Sequence, residues 1–146
     1  MIEIKTLDKY ETKVAAEIGK VLTSLTQNYS GEPLDKKWLE SVIKSPWHDI
    51  FLAYDGDQLV GSATMSMIFS PTVGKVAYLE DMVVKTDIQS RGVGTALWNA
   101  IVKWADDKGA RRIEFTSKKK REAAQQFYLK KGARIREETN PFRYEI

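Results

Sequence analysis

Between Leu79 and Thr116 the chain runs strand, loop, helix, strand, and this order constrains the fold more than any other stretch. Leu79-Glu-Asp-Met-Val-Val84 is the apolar end of a strand that begins at Lys75. A loop from Lys85 to Arg91 leads to Gly92-x-Gly94, which opens a helix reaching about Lys108. Val93, Leu97, Ala100, Ile101 and Trp104 recur on one face of that helix, and Gly109 supplies its stop. Arg111 to Thr116 follows as a strand, with Ile113 and Phe115 alternating with charge. Two strands joined by a crossover helix favour parallel pairing, so a parallel pair is expected in the sheet.

The flanking sequence makes the sheet mixed. Ile2 and Ile4 mark a short first strand, and Asp8 with Glu11 has capping-box spacing ahead of an amphipathic helix over residues 9 to 26. Gln27 to Pro33 is rich in breakers, and Trp38, Leu39, Val42 and Ile43 mark a second helix that Pro46 stops. Ile50–Tyr54 and Gln58–Met67 are strands joined by Asp55-Gly56-Asp57, a hairpin signal. Glu122 to Lys131 is a helix ended by Gly132, and Ala133–Glu137 and Phe142–Ile146 are expected to close the chain as strands. The expected class is α/β (an α+β mixed sheet), in the order β-α-α-β-β-β-α-β-α-β-β with a central parallel strand pair. A chain of 146 residues without linkers or repeats is expected to form one domain, 1–146.

Composition narrows the chemistry. With no Cys there are no disulfides, thiolate nucleophiles or thiolate-bound metals, and a single His, His48, leaves no multi-His metal site. No metal is expected. His48, between Trp47 and Asp49, is expected to be structural. The longest uncharged run, Gln58 to Gly74, carries Pro71 and several hydroxyl residues, so no membrane span is expected and the compartment is expected to be cytoplasmic. The net charge of +3 hides an asymmetry: Arg111 to Arg136 carries +8, and the remainder −5. Such a segment faces either an anion or solvent.

A strand that delivers the chain to Gly92-x-Gly94 at the head of a helix makes an anion site. The glycines leave the first-turn amides unobstructed, and the helix dipole favours negative charge there. Two other phosphate motifs fail. Gly94 is followed by Thr95-Ala96 rather than the Lys-Ser/Thr of a Walker loop, and Leu97 stands where a dinucleotide fingerprint has its third glycine.

What remains, Gln89-x-x-Gly92-x-Gly94-x-Ala96 after Leu79–Val84, resembles the acetyl-coenzyme A-binding motif of the GCN5-related N-acetyltransferases (GNAT). Ala123-Ala-Gln-Gln-Phe-Tyr-Leu-Lys-Lys-Gly132 is similar to that family's last helix, and the likeness covers nearly the whole chain. It departs at Arg121, where Asn is frequent, and at Ala133, where Phe is frequent.

The resemblance implies a GNAT-like fold and acetyl-CoA as co-substrate. Its pyrophosphate is then expected on Gln89, Ser90, Arg91, Gly92, Val93, Gly94 and Thr95, and its pantetheine arm along Met82, Val83 and Val84. A backbone N–H near Val84 would polarise the thioester carbonyl, a contribution of about 3 kcal/mol in comparable acyl transfers. Tyr128 occupies the position that protonates the departing thiolate, and it counts with Arg121 among the cofactor-side residues. An alkylammonium must lose a proton before it can attack. Glu80 and Asp81, consecutive on the strand and expected on opposite faces, are the candidate bases, with Glu80 favoured. Lys118 to Arg121 faces either the coenzyme phosphates or solvent.

The acceptor region in this fold is expected at Gln27–Lys37 and Thr139–Phe142, with Trp38 and Trp47 as candidate pocket walls. Glu32, Asp35, Glu80 and Asp81 favour a cationic amine, a small molecule ahead of a protein lysine or N-terminus. The competing reading is a non-catalytic module that senses coenzyme A or binds nucleic acid through the +8 segment. Nucleic acid is disfavoured, because Phe115, Phe127 and Tyr128 have buried roles instead of being interleaved with the basic residues on an open sheet. A homodimer is left open.

Overall fold

The computed structural model describes residues 1–89 and 91–146. They form two compact units, Met1–Phe115 and Thr116–Ile146.

The first unit contains β1 (Ile2–Thr6), α1 (Thr12–Leu22), α2 (Lys36–Lys44), β2 (His48–Asp55), β3 (Gln58–Ser70), β4 (Gly74–Val84), α3 (Val93–Asp107) and β5 (Ile113–Glu114), with a 3₁₀ turn at Thr86–Ile88. The strands lie in the order β1-β2-β3-β4-β5. The first three pairings are antiparallel and β4–β5 is parallel, so the crossover unit behaves as its sequence dictates. Because no strand follows β5 in the sheet among the described residues, this pair stands at the edge and not at the centre.

β3 is the longest strand, and its side chains alternate between two buried faces. Gly61 looks toward Val93 and Leu97 of α3, while Ser62 looks toward Ile18 and Leu22 of α1. The α1–α2 face buries Ile18, Val21, Leu39, Val42, Ile50, Leu52 and Val83. The α3 face takes Val93, Leu97, Ile101 and Ala105. β2 is buried continuously from Ile50 to Ala53, as a strand covered on both sides must be.

Several boundaries differ from the sequence expectation. α1 begins at Thr12 with no side-chain cap, so the Asp8–Glu11 box does not form, and it ends at Leu22 and not residue 26. The Thr23 hydroxyl donates to the Lys20 carbonyl (2.6 Å), and single turns at Ser24 and Leu25 dissolve the helix there. β5 is only two residues long. Beyond Glu114 the chain leaves the ladder, with Phe115 packed edge-on against Trp98 at 6.0 Å.

The second unit holds α4 (Glu122–Lys130), closed by Gly132 at φ +96°, with the Ala133 N–H reaching back to the Tyr128 carbonyl (3.1 Å). The two expected closing strands are absent: residues 133–146 carry no regular structure. Phe142, Tyr144 and Ile146 alternate as a strand would, but all three are exposed, and period-two patterning without a ladder partner does not make a strand. Among the described residues no helix is long and apolar enough to cross a membrane.

Gly61 tests the closeness of α3 to the sheet. A Cβ there would lie 2.9 Å from the Val83 carbonyl oxygen and within 3.2 Å of Val93 and Leu97. Gly61→Ala is expected to lower stability by about 1–3 kcal/mol in urea unfolding. Any conservative substitution on the exposed face of α2, such as Lys37→Arg, should stay within about 0.5 kcal/mol.

Candidate active site

The site is built around the end of β4. In its ladder with β3, Thr64 stands opposite Glu80 and Ser62 opposite Val83, so Asp81 and Met82 share a single partner, Ala63. This is a β-bulge. Asp81 takes φ +48°, and it is the only non-glycine residue at positive φ among those described. The expected simple alternation of Glu80 and Asp81 therefore fails at this step, because the extra residue and the left-handed turn re-aim the strand. β5 pairs with β4 only at Ala77 and Tyr78, so the far edge of Leu79–Val84 has no ladder partner among the described residues.

On the far side of the bulge the chain enters the anion loop. The Lys85 N–H is fixed to the Val60 carbonyl (2.8 Å), and the Gln89 side-chain amide donates to the Val84 carbonyl (3.3 Å). Arg91 meets Asp55 at 3.6 Å. Gly92 caps α3 in the left-handed region at φ +85°, and no side chain caps the helix. The Ala96 N–H donates to the Gly92 carbonyl, so the amides of Val93, Gly94 and Thr95 precede the first intrahelical bond and are available to an anion. The space at Gly92 is open to 4 Å. These are the features a pyrophosphate requires. Ser90, expected in the same loop, lies outside the described residues.

On the α1–α2 face is a cavity of about 410 Å³. Ile18, Leu22, Leu25 and Ile50 are its apolar lining, Ser62 and Thr64 come from β3, and Asp81 comes from the bulge. The loop between α1 and α2 adds Tyr29, Glu32, Leu34 and Asp35, and the first turn of α2 adds Trp38. Asp35 is the N-cap of α2, its carboxylate accepting the Trp38 N–H at 2.8 Å. Glu32 accepts from the Ser30 hydroxyl, and that bond, helped by its own N–H, holds its carboxyl below the usual range. Among the described residues the acidic or basic side chains lining the cavity are all carboxyl groups, beside an exposed indole, a setting that favours a cation.

Glu80 stands across the ladder from Thr64. Its side chain is exposed, but partial desolvation, and then the neighbouring Asp81 carboxylate, push its carboxyl above the usual glutamate range. It does not line the cavity; Asp81 does.

Of the aromatic candidates, Trp38 lines the cavity, whereas Trp47 is elsewhere, edge-on to Phe69 at 4.9 Å with the Lys75 ammonium over its ring. His48 bonds through Nδ1 to the Ser45 hydroxyl (2.7 Å), which gives it a structural task. In the second unit, Tyr128 lies on α4 beside Phe127, with ring centroids 5.4 Å apart. Burial raises its phenol above the usual value, partly opposed by the Arg121 charge at the head of the same helix.

Sequence reasoning missed Ser62 and Thr64, which look like ordinary strand residues, and it missed two glycines. Gly61 inside a strand pattern and Gly19 inside a helix pattern were the available signals, since both mark close approach of another backbone.

The bulged strand thus has an uncapped helix terminus at its end and a cavity lined by carboxylates on the α1–α2 face. The chain belongs to the acetyltransferase (GNAT) family, whose pattern it matches over residues 19–133. Enzymes of this family use acetyl-CoA. Its fold is similar to an aminoglycoside acetyltransferase from an uncultured soil metagenomic sample, solved with trehalose (TM-score 0.86, 19% identity, covering 99% of this chain and 96% of that one). It is also similar to AAC(6')-Iy, an aminoglycoside N-acetyltransferase solved with a bisubstrate analog (TM-score 0.79, 20% identity, 100% and 99%). A thialysine N-epsilon-acetyltransferase of Caenorhabditis elegans is 28% identical over 65 residues, which are 44% of this chain and 41% of that enzyme.

The left-handed Asp81 predicts an inverted substitution order. Glycine adopts this conformation without the Cβ conflict, whereas alanine has neither that freedom nor the short polar side chain. Asp81→Gly is expected to be more stable than Asp81→Ala by about 1 kcal/mol in chemical unfolding.

Proposed function

We propose that the protein is an acetyl-CoA-dependent N-acetyltransferase whose acceptor is a small cationic primary amine. One observation carries this reading: the bulge at Asp81 places an acidic, partly aromatic cavity beside an unpaired strand edge that leads into an uncapped helix terminus. The cavity volume is that of a small-molecule site. The aminoglycoside and thialysine enzymes to which the chain is similar have names that describe small amine acceptors.

Acetyl-CoA, when bound, supplies the acetyl group activated as a thioester. The amides of Val93, Gly94 and Thr95 would hold its pyrophosphate, with Gln89, Arg91 and Gly92 shaping the loop. Met82, Val83 and Val84 would bind the pantetheine arm along the open edge of β4, and a backbone N–H near Val84 would polarise the reacting carbonyl. Asp81, in the cavity wall, is the counter-charge that seats the acceptor ammonium. Glu80 takes the proton, directly or through one water, because its raised affinity for protons suits that task better than an ordinary carboxylate. By the family resemblance Tyr128 would be the acid for the leaving group, and its phenol, with its pKa raised, stays protonated through the neutral range.

A thermal shift tests donor binding first. Acetyl-CoA at 100 times its Kd adds about 2.7 kcal/mol of stability, and no shift at millimolar concentration overturns the reading. Thiol release with a linear polyamine, an aminoglycoside, thialysine and a lysine peptide then ranks acceptors. A steep loss of affinity for RNA or DNA with salt, without any acetyl-CoA effect, would favour the binding-module alternative.

Tyr128→Phe is expected to lower kcat about 100-fold, the lower end of what a positioned acid contributes, with little change in the Kd for acetyl-CoA.

The two carboxylates should separate by pH. Glu80 acts deprotonated and its pKa is raised, so wild-type activity falls toward acid at a pH above the ordinary glutamate range. Glu80→Gln is expected to lower kcat and abolish that limb, and Asp81→Asn to raise the acceptor KM.

A further inference from the structure

A glycine in the middle of a helix is unfavourable unless something needs the missing side chain. Gly19 lies inside α1, buried, two turns after its start. A Cβ on it would overlap the Glu32 carbonyl oxygen outright, stand 2.8 Å from the Glu32 carbonyl carbon and 3.1 Å from the Gly31 oxygen. The backbone of the loop between α1 and α2 therefore rests directly on the backbone of α1. That loop is the wall that brings Glu32 to the cavity.

Two hydrogen bonds hold the same seat. The Leu34 N–H donates to the Ala15 carbonyl, one turn before Gly19 (3.2 Å). The Tyr29 hydroxyl donates to the Glu32 carbonyl, the very group that faces Gly19 (2.7 Å). Gly31, at φ +89°, turns the chain into this contact, and the Ser30 hydroxyl holds the Glu32 carboxylate. The backbone is thus fixed on both sides of Glu32, and its carboxylate is held from within the loop.

We propose that Gly19 is a positioning residue that sets acceptor specificity: by lacking a side chain it seats the Tyr29–Leu34 wall, and so Glu32, against the cavity. This rests on reading the cavity as the acceptor site. Gly19 touches neither donor nor acceptor. It acts through Glu32, whose charge meets a cationic group of the acceptor away from the reacting amine at Asp81. An added methyl group must lift the wall, because the obstructing atoms are main-chain atoms that cannot rotate aside.

The test uses the full chain with Gly19→Ala and, as a variant that leaves α1 unchanged, Tyr29→Phe. Amide hydrogen exchange at Leu34 reads the wall without any substrate. Steady-state kinetics with whichever of the four amines wild type uses best, the polyamine, aminoglycoside, thialysine or lysine peptide, reads its consequence. Gly19→Ala is expected to accelerate Leu34 exchange at least 10-fold and raise the acceptor KM at least 10-fold, with the acetyl-CoA KM within twofold. Tyr29→Phe is expected to move the same two quantities about threefold. A lowered melting temperature with unchanged acceptor KM would assign Gly19 to packing alone and overturn the proposal, as would unchanged Leu34 exchange in both variants. Should Gly19→Ala not fold, Tyr29→Phe decides by the same readouts. If wild type acetylates none of the four amines, the acceptor reading fails first, and the specificity role of Gly19 falls with it even where Leu34 exchange still responds.

Discussion

The ladder between β3 and β4 gives Thr64 to Glu80 and Ser62 to Val83, and the residue left over on β4 governs what surrounds it. A strand in strict register would send residues 80 and 81 to opposite faces. With two residues opposed to Ala63 and Asp81 in the left-handed region, the strand bends, and Asp81 joins Ser62 and Thr64 on the α1 side. Past Tyr78 the other edge of β4 has no partner in β5. The bulge therefore lies where an open hydrogen-bonding edge and an acidic wall meet on the same few residues. A non-glycine residue in an unfavourable conformation persists only where its surroundings hold it, and here β3 holds it from one side.

Two glycines on opposite faces of this sheet solve the same packing problem. Gly61 leaves room for the Val93 and Leu97 side chains of α3 beside the Val83 carbonyl of the next strand, which seats α3 close to the sheet. Gly19 lets a loop approach α1, which seats the wall of the cavity. At Gly19 every close atom is main-chain, and at Gly61 the nearest is the Val83 main-chain oxygen, so an added side chain meets a group that cannot rotate aside. Close backbone approach is what lets side chains and amides from sequence-distant elements share one small volume, and glycine is the residue that permits it.

Much of this was legible in the sequence because it depends on local chemistry. Asp55-Gly56 turns a hairpin, Gly109 and Gly132 close helices in the left-handed region, and Gly92-x-Gly94 exposes the first amides of α3. The bulge was not legible, since Glu80-Asp81-Met82 carries no turn signal and looks like continuing alternation. Nor was the seat at Gly19, which exists only because a loop ten or more residues away folds back on it. The closing strands failed for the complementary reason. Phe142, Tyr144 and Ile146 show the right period, but period specifies which side chains share a face and not whether a neighbouring strand is present.

The scarcity of His and the absence of Cys also acquire a physical meaning. Acyl transfer to an amine needs no nucleophile from the protein, because the acceptor is itself the nucleophile once it loses a proton. What the protein must provide is charge in the right places. The amides at the head of α3 supply positive potential without an ionisable side chain, and they cannot be titrated away. The carboxylates of Glu32, Asp35 and Asp81 supply negative potential on the other face. Glu80, partly desolvated and beside Asp81, has its proton affinity raised above that of an ordinary glutamate. Among the described residues no basic side chain lines the cavity that holds the carboxylates of Glu32, Asp35 and Asp81, so their negative potential is not offset within its wall.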